Sequence, residues 1–136
     1  MITQKYINQI SYQVIGCAME VHKQLGPGLL ESVYEECMIE ELRFKGLVVQ
    51  AQQKVPLFYR GRALKTELRL DIIVNDLVIL ELKAVETMIP LYKAQLLSYL
   101  KLSSKPKGLL INFHCENIRE QLVALVTDEF SKLPKE

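Results

Sequence analysis

The hydrophobic period of the chain changes near Gly46, and this change most constrains the fold. In Gln4–Leu25 and again in Leu30–Lys45, apolar residues recur every three or four positions, which predicts two amphipathic helices. After Gly46 the apolar residues alternate, which is typical of strands. Because the chain has 136 residues, we expect helices and strands together to form a single domain over residues 1–136.

Three strands are predicted by the alternating segment, at Val48–Tyr59, Ala63–Val74 and Leu77–Ala84. Gly61 lies in the first turn and Asn75-Asp76 opens the second, and these residue types accept the backbone angles of hairpins. The three strands should therefore form an antiparallel meander. Pro56 cannot donate a hydrogen bond to a neighbour, so the first strand should lie at an edge or contain a bulge.

The remaining segments predict a helix, a strand and a closing helix. The first helix begins at Pro90 and spans about Leu91–Leu102, and the nearly wholly apolar Leu109–Phe113 is typical of a buried strand. Asn117–Lys132 is predicted to be helical. A right-handed crossover should place the buried strand parallel to one strand of the meander. The predicted fold class is α/β, with helices flanking a mixed four-stranded sheet: the meander plus one strand after the crossover helix.

Charge and composition exclude several classes of protein. The 17 Lys and Arg residues against 16 Asp and Glu residues give a formal net charge of +1, so binding to nucleic acid or anionic lipid would need a local patch. The three separated cysteines form neither a zinc nor a disulfide pattern. No segment reaches about 18 consecutive apolar residues, and no secretory leader is recognisable at the N-terminus. We therefore expect a cytoplasmic protein without a membrane partner.

Three charged residues lie in strands that are otherwise apolar. Asp71 falls in the second strand, whereas Glu81 and Lys83 share one face of the third. Burying an unpaired charge costs several kcal/mol, so something must compensate these groups. One interpretation is an ion pair of Lys83 with Glu81 or Asp71. The other is a divalent cation held by Asp71 and Glu81, with Lys83 beside the reacting group, since carboxylates suit magnesium and manganese.

The length of the second turn separates these interpretations. A strict two-residue turn at Asn75-Asp76 would place Asp71 opposite Leu80, so the two carboxylates would miss each other. A three-residue loop with a bulge would instead place Asp71 opposite Glu81, close enough to share an ion. The metal hypothesis therefore predicts the odd loop.

Several motifs resemble those of one known family. Asp71, followed after nine residues by Glu81-Leu82-Lys83, resembles the core motif of the PD-(D/E)XK nuclease superfamily, although Leu70 stands where the superfamily name has proline. The segment Gly28–Tyr34 fits the signature of the GxxExxY family within that superfamily. Gln95–Tyr99 resembles the Q-x-x-x-Y helix of RecB-like nucleases.

This resemblance implies a restriction-endonuclease-like core and a set of site residues. Asp71, Glu81 and Lys83 would be the catalytic residues, and Glu31 would join the two acidic residues as a metal ligand for Mg or Mn. The implied reaction is hydrolysis of phosphodiester bonds, with DNA favoured over RNA as the expected substrate. Substrate-binding residues would be Gln95 and Tyr99, and the supporting residues would be Gly28, Tyr34 and His22.

Other interpretations remain open at this point. The chain could be a non-catalytic nuclease-like module that binds nucleic acid or a protein partner, or its acidic cluster could be purely structural. A homodimer is expected if so small a core needs more surface for its substrate. The basic cluster around the first turn could contact phosphates or be a solvated surface; it consists of Arg60, Arg62, Lys65 and Arg69.

Overall fold

A five-stranded sheet with helices on both faces forms the framework of the computed structural model, which describes residues 1–136. The elements in chain order are α1 (Gln4–Leu25), α2 (Glu31–Phe44), β1 (Val49–Tyr59), β2 (Arg62–Val74), β3 (Val78–Lys83), α3 (Pro90–Ser103), β4 (Lys107–Asn112), a 3-10 turn (Ile118–Gln121), β5 (Leu122–Val126) and α4 (Asp128–Ser131). None of the helices combines the length and the apolar character needed to cross a bilayer.

The strands lie in the sheet in their chain order, from β1 to β5. Pairing is antiparallel between β1 and β2 and between β2 and β3, so the predicted meander is confirmed. The α3 crossover then brings β4 parallel to β3, as predicted. Pro56 lies in the edge strand β1 beside a register shift, because a residue without an N–H donor is tolerated there.

The end of the chain differs from the prediction of a helix over Asn117–Lys132. Only the short 3-10 turn and α4 are helical in this region, and β5 pairs antiparallel with β4. The sheet therefore has five strands instead of four. Without this segment β4 would be an open edge, and Leu122–Val126 supplies apolar and β-branched residues that pack well on a sheet. Pairing with β4 outweighs the weak helical spacing of this segment.

Two apolar layers enclose the sheet. The larger one lies under α1 and α2 and includes Val14, Tyr34 and Ile72, all fully buried. The smaller one lies under α3 and includes Leu70 and Leu96. Because alternate strand residues face opposite layers, each charged residue of β2 and β3 can be assigned to a side.

Besides the register shift at Pro56, the β1–β2 ladder is interrupted where Gln52 faces Asp71. Pairing is regular up to Ala51 with Ile72, and it resumes at Gln53 with Leu70. Gln52 adopts a left-handed φ of 52°. The strand changes face here, since Ile72 belongs to the larger apolar layer and Leu70 to the smaller one. The kink releases Asp71 from strand pairing and redirects the rest of the hairpin.

Candidate functional site

The loop between β2 and β3 has three residues, Asn75–Leu77. Val74 pairs with Val78 and Ile72 with Leu80, so the register carried one step further sets Asp71 opposite Glu81. Asn75 has a left-handed φ of 51°, and its Oδ1 accepts a hydrogen bond of 2.8 Å from the Val48 N–H. The predicted odd loop is thus confirmed, and it aligns the two carboxylates.

The Asp71 side chain takes the place of the next strand hydrogen bond. Its Oδ2 accepts a 3.0 Å hydrogen bond from the backbone N–H of Leu82. This contact fixes the carboxylate at the point where β2 and β3 separate. The residue is half-buried, so this part of the sheet is partly open to solvent.

Glu81 is a buried carboxylate without a full set of partners. The residue is only 7% exposed, and its Oε2 has no hydrogen-bond donor. Burial raises the pKa of Glu81 to about 8, and the negative charges of Asp71 and Glu31 act in the same direction. The positive charge of Lys83 lowers this pKa only in part. The site therefore attracts either a proton or a cation.

No ion pair compensates these carboxylates. The chain contains a single salt bridge, Lys105 to Asp76 at 2.8 Å, so Lys83 pairs with neither Glu81 nor Asp71. Instead the Lys83 Nζ lies over the ring of Tyr92, 4.6 Å from its centroid. This cation–π contact holds the ammonium near the carboxylates without neutralising them. The ion-pair interpretation is wrong.

Glu31 reaches the same region from α2, where it is the first residue of the helix. Burial raises its pKa, the negative charge of Asp71 raises it further, and Lys83 opposes this effect. The helix N-terminus favours a negative charge at this position. Three carboxylates and one ammonium, from α2, β2 and β3, thus influence one another electrostatically.

This arrangement of strand carboxylates and a strand lysine agrees with a comparison of families. A family model described as the PD-(D/E)XK nuclease superfamily matches residues 8–124. The chain belongs to this superfamily. The matched span includes Asp71, Glu81 and Lys83, and the α/β fold with its mixed sheet is consistent with the restriction-endonuclease-like architecture.

Comparisons with individual proteins add little to this PD-(D/E)XK assignment. A search of curated proteins found no match. One similar solved structure, described as "Crystal structure of SSO0001", has 20% sequence identity and a TM-score of 0.47. The similarity covers 69% of this chain and 47% of that one, so this chain spans about half of its length.

Helix α3 carries Tyr92, Gln95 and Tyr99 on one face, and Tyr92 contacts Lys83. Gln95 donates a 2.8 Å hydrogen bond from Nε2 to the Tyr99 hydroxyl. Burial raises the pKa of Tyr99, and the negative charge of Glu81 raises it further. Tyr92 was missed by sequence reasoning. Its spacing of three and seven residues from Gln95 and Tyr99 on one helix face is the signal that could have found it.

The supporting residues lie around the loop that leads into Glu31. The hydroxyl of the buried Tyr34 donates to the Gly26 carbonyl at 2.6 Å and accepts from the Leu29 N–H at 3.2 Å. Its ring stacks on Phe113 with centroids 4.6 Å apart. Gly28 provides a left-handed φ of 98°. This loop positions the start of α2, and the Tyr34 hydroxyl contacts backbone groups instead of a carboxylate.

His22 has a backbone contact as its partner. Its Nε2 is 2.7 Å from the backbone oxygen of Cys115, and this contact joins the end of α1 to the loop after β4.

Gln52 belongs to the site region, since it faces Asp71 and donates a 2.7 Å hydrogen bond to Glu35 on α2. That contact ties the kinked strand to the helix that carries Glu31.

The donor set fits a hard divalent cation. No group of three or more His, Cys, Asp or Glu side chains is spaced as a complete metal cage. However, Glu81 has an oxygen without a donor, and it faces Asp71 across the strands. Two carboxylates with an open side suit magnesium or manganese, since these ions keep several waters and use few protein ligands.

Proposed function

We propose that this protein is a nuclease that depends on a divalent metal and hydrolyses phosphodiester bonds of DNA. The observation that carries the proposal is the buried Glu81 carboxylate, which faces Asp71 and has no ion pair. Ionising this buried carboxyl without a partner is costly, so it keeps its proton unless a bound cation supplies the compensating charge. Membership of the PD-(D/E)XK nuclease superfamily supports the reaction class.

Asp71 and Glu81 would hold the cation, Mg or Mn, with Glu31 completing the acidic side. When bound, such an ion supplies a water of lowered pKa and balances charge on the phosphate. The protein's own contribution is orientation. The Leu82 N–H holds one oxygen of Asp71 by a hydrogen bond, and this contact fixes the orientation of the carboxylate.

Lys83 would act on the scissile phosphate or on the attacking water. Its ammonium has no carboxylate partner, so its charge is available to orient the water or to stabilise negative charge that develops in the transition state. Tyr92 would keep the ammonium in place. Gln95 and Tyr99, joined by a hydrogen bond on the same helix, would contact the substrate backbone.

The narrower GxxExxY assignment rests on Gly28, Glu31 and Tyr34, which lie together around the start of α2. We further propose that the protein acts in the cytoplasm and that two copies associate, so that two sites face two strands. Sedimentation with and without duplex DNA measures that association. A single-copy mass in both samples contradicts the homodimer.

A cleavage assay tests the central proposal. Purified protein is incubated with single-stranded, duplex, flap and four-way-junction DNA in magnesium, in manganese and in chelator. Lys83→Ala is compared with Lys101→Ala, a matched control at an exposed position near the end of α3. We expect cleavage that needs metal, disappears in Lys83→Ala and persists in Lys101→Ala.

A second function is favoured by the net charge of only +1, which gives the chain no overall attraction for nucleic acid. The chain would then be a nuclease-like module that binds nucleic acid or a protein partner without cutting it. Calorimetric titration of magnesium and manganese separates the two proposals. Metal binding that is lost in Glu81→Gln supports the nuclease, whereas no cutting together with no metal binding supports the non-catalytic module.

A further inference from the structure

The hairpin beyond the kink concentrates positive charge. We define the basic arm as residues 53–70, the part of β1 and β2 that follows Gln52 and precedes Asp71. It contains five basic residues and one acidic residue, a net charge of +4, although the whole chain carries only +1. The rest of the molecule is therefore net negative, at −3. The basic residues of the arm are Lys54, Arg60, Arg62, Lys65 and Arg69.

None of these cations is compensated within the protein. All five are exposed, and none forms a salt bridge. Lys54 lies directly opposite Arg69 in the strand register. Like charges in that position destabilise a strand pair, so the free protein keeps an unfavourable contact that a bound anion would relieve.

The tip of the arm adds exposed aromatic surface. Phe58 is 63% exposed and Tyr59 is 66% exposed, and Tyr59 pairs with Arg62 across the hairpin. Neither side chain belongs to an apolar layer of the fold. Aromatic rings beside cations suit nucleic acid, because bases stack on the rings while the cations contact phosphates.

The position of the arm relates it to the candidate site. Arg69 is only two residues from Asp71, and Arg62 is nine residues from it along a continuous strand. At roughly 3.3 Å per residue, the basic residues extend to about 30 Å from the site. One turn of duplex DNA is about 34 Å long, so the arm can follow a substrate for nearly one turn.

We propose that the basic arm binds the sugar–phosphate backbone of a nucleic-acid substrate on one side of the cleavage position. This inference rests on the proposed function, since the site at Asp71 fixes where the substrate begins. The alternative occupant of such a surface is an acidic protein. Charges distributed along a two-stranded ribbon, with aromatic residues at its tip, favour the regular backbone of a nucleic acid.

A salt titration of binding tests the arm. Kd for a fluorescent 20-base-pair duplex and for the matching single strand is measured by anisotropy in chelator from about 50 to 200 mM salt, the range over which phosphate contacts dominate affinity. Two arm variants are compared, Lys54→Gln/Arg69→Gln and Arg62→Gln/Lys65→Gln. The matched control is Lys23→Gln/Lys132→Gln, which removes two exposed lysines elsewhere.

Each arm variant should weaken duplex binding by roughly tenfold or more near 100 mM salt. The slope of log K against log salt should become shallower by about 1.8, since each lost phosphate contact contributes about 0.9. The control should retain the affinity and slope of the wild type. Thermal melting verifies folding, and the Lys54→Gln/Arg69→Gln variant should melt at a slightly higher temperature because it loses a repulsive pair.

Arm variants that fold and bind with the affinity and slope of the wild type would overturn the proposal. Binding of the wild type to polyglutamate but not to nucleic acid would overturn it too, and would assign the arm to an acidic protein. Cleavage that depends on Lys83 but not on the arm would support the proposed function and contradict the role of the arm. Binding that depends on the arm, without any cleavage, supports the arm and contradicts the nuclease.

Discussion

Glu81→Gln should change how the stability of the metal-free protein depends on pH. The pKa of this carboxyl is about 8 in the folded protein and 4.5 in its ordinary environment. Between these values the folded chain holds a proton that the unfolded chain releases. The free energy of unfolding must therefore fall as pH rises through this window. Glutamine, which resembles the protonated acid and does not titrate, should abolish that fall.

The magnitude follows from the two pKa values. Each pKa unit corresponds to about 1.36 kcal/mol, so the whole window is worth at most roughly 5 kcal/mol. Between pH 5 and pH 8, Glu81 should lower the stability of the wild type by roughly 3 kcal/mol. The raised pKa of Glu31 acts with the same sign.

Urea denaturation at both pH values, in chelator, measures the effect. The decisive quantity is the pH-dependent loss of stability in the wild type minus that in Glu81→Gln, because titrating groups outside the site contribute equally to both proteins and the difference reports Glu81 together with the carboxylates coupled to it. Glu40→Gln, at an exposed position of α2, is the matched control and should behave as the wild type. Equal pH dependence in all three proteins would refute the reasoning, because it would mean that ionised Glu81 is already compensated.

Magnesium should reverse the loss in the wild type at pH 8. A ligand at 100 times its Kd stabilises the folded state by about 2.7 kcal/mol. Glu81→Gln removes a proposed ligand and should gain much less. Stabilisation of equal size in both proteins would place the metal elsewhere.

Substitutions at three further positions test how the site is built. Tyr92→Leu should lower cleavage by roughly 2- to 30-fold, the range expected for a lost cation–π contact, whereas Tyr92→Phe should retain the rate; equal rates for both variants would remove Tyr92 from the mechanism. Asn75→Ala should cost about 1–2 kcal/mol, because the loop loses a hydrogen bond and keeps a left-handed φ, whereas Asn75→Gly should cost less in urea denaturation. Tyr34→Phe should lower stability by about 1–2 kcal/mol through the lost contact with Gly26, and unchanged melting would contradict that.

Local patterns predicted most of the fold. The helical spacing before Gly46 predicted α1 with its observed bounds and α2 to within one residue at each end. The alternation of apolar residues after Gly46, together with turn residues at Gly61 and Asn75, predicted the meander. These patterns are predictive because apolar residues spaced at the repeat of a helix or strand lie on one face, and that face is buried.

The missed features depend on contacts between distant segments. Residues Leu122–Val126 form a strand because they pair with the exposed edge of β4, and their own sequence does not indicate that this edge is open. The role of Tyr92 depends on its contact with Lys83 from a different element, and its spacing along the helix is only a weak signal of that contact. For the site, the three-residue loop could be predicted as a condition of the metal hypothesis, but the Gln52 kink could not, because it arises between two strands.

Three unfavourable features lie around the kink between β1 and β2, and a single kind of ligand would relieve two of them. Gln52 holds a left-handed φ, Glu81 buries an oxygen without a donor, and Lys54 opposes Arg69. Each costs stability in the free protein. The kink is what connects them, since it frees Asp71 on one side and directs the basic arm away on the other. A cation beside a nucleic-acid phosphate would compensate the carboxylates, and the continuing backbone would compensate the arm.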